Sequence, residues 1–132
     1  MILQIWQSFR SLPLWVQIWV ALILVPVNMA SLFFLTEAKG VLIAVLAIGG
    51  MLPNLFIMMA ERGFSKAMAL PHLAIWTPLV IIIALWMKNG GPDAQFFPLY
   101  LWVLMVVNVI SLIFDYKDAW EWWRGARDVA RP

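Results

Sequence analysis

The chain has 132 residues, of which 64% are hydrophobic and 12% charged, with a formal net charge of +2. A mean hydropathy of +0.90 excludes an ordinary soluble domain, and so few charges give little footing to a nucleic-acid partner. Cysteine is absent, which excludes disulfides, thiol nucleophiles and Cys-ligated zinc or iron–sulfur centres.

The predicted elements form one all-α membrane domain: a four-transmembrane-helix bundle with short interfacial helices at both termini. Residues 1 to 12, MILQIWQSFRSL, set Ile2, Ile5, Trp6 and Phe9 at helical spacing opposite Gln4, Gln7 and Arg10, and Pro13 ends the run. That pattern predicts a helix lying in the membrane interface. Apolar runs follow at 14 to 35, 40 to 60, 67 to 87 and 96 to 114, each close to the roughly 20 residues that cross a hydrocarbon core. The first is too long and too rich in Trp for a signal peptide, so it is expected to remain. Residues 118 to 132 align Ala119, Trp122, Trp123, Ala126 and Ala130 and predict a second interfacial helix.

Basic residues set the orientation. Arg10, Arg62, Lys66, Lys117, Arg124, Arg127 and Arg131 fall on one side and only Lys39 and Lys88 on the other. The positive-inside rule then places both termini in the cytoplasm, in what is expected to be a bacterial inner membrane.

Polar residues inside the runs carry whatever function is visible, because an unpartnered amide in hydrocarbon costs several kcal/mol, on the order of 2–7. Gln17 and Asn28 share a face of the first run with Ser31. On the second, Gly40, Ala44, Ala47 and Gly50 make a stripe of small residues, expected to be a face for self-association, ending near Asn54. The third contributes His72 beside Pro71, and the fourth lines up Asn108, Ser111 and Asp115. At 1.5 Å per residue, Asn54, His72 and Asn108 each lie about 10 Å inside the cytoplasmic boundary. They predict one polar layer, while Asn28 belongs to the outer half.

One repetition stands out. Val27, Asn28, Ser31, Leu32 and Phe34 recur as Val107, Asn108, Ser111, Leu112 and Phe114. An Asn with a Ser one turn later is a helix–helix adhesive, and Pro26, Pro53, Pro71 and Pro78 free carbonyls that such side chains can satisfy. A first-to-fourth match fits convergent packing better than an inverted-repeat transporter.

No catalytic set can be placed. The single His and the absence of Cys leave too few ligands for zinc or di-iron. No P-loop, Gly-x-Ser-x-Gly elbow or potassium-filter sequence occurs. Glu37, Glu61, Asp93 and Asp115 fall at the ends of runs or in loops, which argues against a carboxylate-driven antiporter. His72 is the one intramembrane side chain of a type that titrates near neutral pH. The expected function is a non-enzymatic channel or transport component, or a small subunit of a membrane complex, with lipid and other copies of the chain as partners. The alternative is a subunit that binds lipid, or haem or chlorin through His72, with Ala69 and Ala74 making room for a macrocycle. A lipid-directed enzyme is the weakest reading.

Overall fold

A computed structural model describes residues 1–131. Among them there are helices and turns but no strand, and four helices are long and apolar enough to cross a membrane. The N-terminal helix, Ile2–Ser11, is followed by a first span at Leu14–Phe34, a second at Gly40–Glu61, a third at Lys66–Lys88 and a fourth at Phe97–Trp123. The closest pairing is between the third and fourth spans, and the core between all four is built from Leu24, Ile43, Ala47, Trp76, Leu79, Ile83, Phe97, Leu101 and Leu104.

Proline and glycine shape the first two spans. Pro26 has no N–H to offer the preceding turn, and the first span widens into a π-helical stretch at Trp19–Leu24 before tightening to 3-10 geometry at Ala30–Phe34. The second span is interrupted between Gly49 and Leu52, just ahead of Pro53. There Met51 N–H turns to the Ile48 carbonyl, and the carbonyl of Ala47 is taken by the indole N–H of Trp76 at 3.0 Å. Glycine suits this break, since a Cβ on Gly50 would lie 2.2 Å from Trp76 Nε1 and force the indole to shift.

The stripe of small residues is therefore spent inside the protein. Gly40, Ala44, Ala47 and Gly50 are all buried within a single chain. Gly40 meets the Phe34 carbonyl in the tight turn between the first two spans, while Ala47 and Gly50 receive Trp76. The expected self-association face is corrected accordingly: these small residues pack against the chain's own first span at Gly40 and its third span at Ala47 and Gly50.

At the other end of the sequence the structure also departs from expectation. Residues 118 to 123 continue the fourth span, which stops at Trp123. Gly125 takes φ 110°, its N–H bonds the Trp122 carbonyl, and Ala126 N–H reaches back to Glu121. This is a Schellman stop, for which only glycine is free of a Cβ penalty. Residues 124 to 131 then run without helix, so the predicted terminal helix does not form; Pro132 lies outside the described residues.

Both termini meet at one end of the bundle. The N–H of Phe64 donates to Ser8 Oγ at 2.8 Å and its carbonyl accepts from Ala130 N–H at 2.8 Å. One backbone unit thus ties the N-terminal helix, the loop after the second span and the C-terminal segment together. Arg131 adds bonds to the carbonyls of Glu61 and Arg62, the free acceptors at a helix C-terminus where a cation is favoured.

Candidate functional site

The intramembrane polar residues divide into two clusters and one clamp. The clamp is Gln17. Pro13 breaks the chain between the N-terminal helix and the first span, and Gln17 Nε2 donates to the carbonyls of Arg10 and Leu12, while its Oε1 accepts from Arg10 Nη1. It closes a turn and has no part in a polar layer.

The first cluster is a reciprocal amide pair. Asn28 Nδ2 donates to Asn108 Oδ1 at 2.8 Å and Asn108 Nδ2 returns a bond to Asn28 Oδ1 at 3.0 Å. Both residues are fully buried. Asn28 Nδ2 also reaches the Leu24 carbonyl, and Ser31 Oγ donates to the carbonyl of Asn28. The repeated segments therefore face one another across antiparallel helices. A crossing of that kind has a local two-fold relation, in which like residues meet like residues.

This pairing corrects the assignment of Asn108 to the layer of Asn54 and His72. The fourth helix runs eight residues past Asp115, to Trp123, so Asp115 is not its boundary. Measured from that end, Asn108 is about 22 Å deep, and Asn28 is about 21 Å from the start of the first span at the same end of the bundle. The two amides share a level near mid-bundle.

The second cluster lies roughly 10 Å from the end that carries the termini. His72 Nε2 is 2.9 Å from Asn54 Nδ2, and His72 Nδ1 is 3.0 Å from Asp115 Oδ2. Ser111 Oγ donates to the same carboxylate oxygen at 3.1 Å. The imidazole stacks on Trp76, ring centroids 3.9 Å apart and nearly parallel. Asn54, His72, Ser111 and Asp115 are all buried, and Asn54 Oδ1 is buried with no hydrogen-bond partner. Asp115, left at a span end by the sequence, is the member the fourth helix supplies in place of Asn108. Its one-turn spacing from Ser111 was the available signal.

Hydrogen-bond chemistry assigns the ring. With Asn54 Nδ2 donating, Nε2 accepts, so the neutral imidazole carries its proton on Nδ1 and donates it to Asp115. Both ring nitrogens are engaged. Haem or chlorin ligation through His72 would need Nε2 to leave Asn54 and a macrocycle to enter beside Trp76. Ala69 is buried while Ala74 faces outward, so the two do not open one slot. Among the described residues no group of three His, Asp or Glu side chains is placed to hold a metal ion.

Lys66 pairs with Glu121, and Lys117 approaches the same carboxylate; Glu121 lies between one and two turns beyond Asp115, toward the termini. The chain matches no known protein family, and no curated protein or solved structure is significantly similar to it.

Proposed function

We propose that the chain is a non-enzymatic channel or transport component of a membrane, acting as a homo-oligomer or as a small subunit of a larger assembly, and that His72 and Asp115 are its proton-binding site. One observation carries the proposal: these are the only titratable side chains buried among the described residues, and they meet directly. An apolar pair of similar volume would hold two helices as well as a sealed histidine–carboxylate pair does. An ionisable pair inside a span is best accounted for by proton traffic.

The cluster is built for two protonation states. In the neutral state Asn54 donates to Nε2 and leaves its own oxygen unpartnered. A proton arriving at Nε2 turns that nitrogen into a donor, and a half-turn of the Asn54 amide presents the waiting oxygen to it. The resulting imidazolium faces the Asp115 carboxylate and lies against the Trp76 ring, which favours a cation. Lys66, Lys117, Asp118 and Glu121 are charged groups on the side toward the termini; Asn28 and Asn108, by contrast, are a packing pair. The basic residues support a topology with both termini cytoplasmic, as in a bacterial inner membrane, and the amphipathic N-terminal helix lies in the interface.

The test is proton flux into liposomes loaded with a pH-sensitive dye, alongside near-ultraviolet circular dichroism of the same preparations. Wild-type protein should dissipate an imposed pH gradient, and His72→Gln and Asp115→Asn should abolish that while keeping the aromatic signature. A wild type that leaves the gradient intact, or His72→Gln that conducts as well as wild type, would overturn the proposal.

A further inference from the structure

The end of the bundle that carries the termini has an apolar groove, separate from His72. The N-terminal helix, pinned through Ser8 to the backbone of Phe64, does not seal against the second span. Between them lies an open groove of about 440 Å³ walled by Ile2, Ile5, Trp6, Phe9, Met58 and Phe64. Its lining is apolar throughout, and its rim is cationic. Arg62 Nη1 is 3.5 Å from Gln4 Oε1, next to Ile5, and the Arg10 guanidinium carbon is 6.0 Å from the centroid of the Trp6 ring. Both arginines are exposed, and among the described residues neither is within ion-pair distance of a carboxylate.

Arg62 is also costly where it stands. It holds φ 55°, the left-handed conformation that closes the second span, which disfavours a side chain with a Cβ by about 1–2 kcal/mol. Glycine or asparagine is the usual occupant. Gly63 beside it has a packing reason, because a Cβ there would lie 2.6 Å from Val129 and 2.7 Å from Ser8 Oγ.

We infer that the groove seats an acyl chain of an anionic phospholipid whose phosphate is held by Arg62 and Arg10. The groove supplies the apolar wall for the chain, and the two guanidinium groups supply bidentate donors at the level of the Trp rings, where headgroups lie. A zwitterionic lipid would satisfy the groove but would set its ammonium against the same two cations.

Native mass spectrometry of the full chain in detergent, with equimolar phosphatidylglycerol and phosphatidylcholine of matched acyl chains, tests this. Phosphatidylglycerol should be retained about tenfold or more over phosphatidylcholine, and Arg62→Gln should bring the two close to parity, as expected for loss of a charge-assisted bond. Ile5→Trp fills the groove and should lower retention of both lipids. Ile2→Asp, at a position 85% exposed within the chain, should lower retention of phosphatidylglycerol. Equal retention of the two lipids, phosphatidylglycerol binding unmoved by Arg62→Gln and Ile2→Asp, or equal displacement by glycerol phosphate lacking acyl chains would each overturn the inference.

Discussion

Replacing Asn108 with Leu removes both bonds of the amide pair and leaves Asn28 Oδ1 buried without a donor, while Asn28 Nδ2 keeps the Leu24 carbonyl at 2.9 Å. Interhelical hydrogen bonds in bilayers contribute about 0.6 kcal/mol on average and up to about 1.7, and a stranded buried acceptor adds roughly 1–3 kcal/mol. The expected loss is about 2–3 kcal/mol. Asn28→Leu strands both polar atoms of Asn108 and gives up the bond to Leu24, so it should cost about 3 kcal/mol or slightly more. The double replacement strands no side-chain group. Its cost should fall short of the sum of the singles by about 1–2 kcal/mol, the coupling that a contacting pair shows in a double-mutant cycle. Reversible unfolding in mixed micelles over a series of sodium dodecyl sulfate fractions measures all four proteins on one scale. Single-residue costs that add to within about 0.5 kcal/mol would refute the pairing, since two residues that do not touch behave that way.

Gly50→Ala forces a methyl group into the Trp76 indole and should destabilise by about 1–3 kcal/mol; Gly49→Ala, where a Cβ meets nothing within 4 Å, should be neutral or stabilise by up to about 1 kcal/mol. The same micelle unfolding distinguishes them, and equal effects would mean that the close approach of Trp76 is wrong. Ala47→Leu, at a position with no exposure, should lower stability by about 1–3 kcal/mol independently of protein concentration. A loss that appears only on dilution would instead place that face between copies. Reporter fusions after Lys39 and after Lys66 should read external and cytoplasmic respectively, and the opposite result would reverse the proposed topology.

The sequence by itself determined the class of molecule. Four runs of about twenty apolar residues admit hardly any other solution in a bilayer, and each appears as a helix within a few residues of its expected ends, except where the fourth continues to Trp123. The polar residues that would be buried were also legible, because hydrocarbon excludes unpartnered amides wherever the bundle places them: Gln17, Asn28, Asn54, His72, Asn108 and Ser111 are all inside. Which of them meet was decided only by the tertiary structure. Depth along a helix is counted from its end, and Trp120, Trp122 and Trp123 look alike whether they begin a new interfacial helix or extend an old one. Counting from Asp115 put Asn108 beside His72; the longer helix raises it one level to Asn28 and brings Asp115 down to the imidazole. The small-residue stripe shows the same limit, since spacing announces a close approach but carries no label for the partner, here Trp76 of the same chain. The capping of one end runs through the backbone N–H and carbonyl of Phe64, which meet the Ser8 hydroxyl and the Ala130 N–H more than fifty residues away, and a backbone N–H or carbonyl has no signature in sequence.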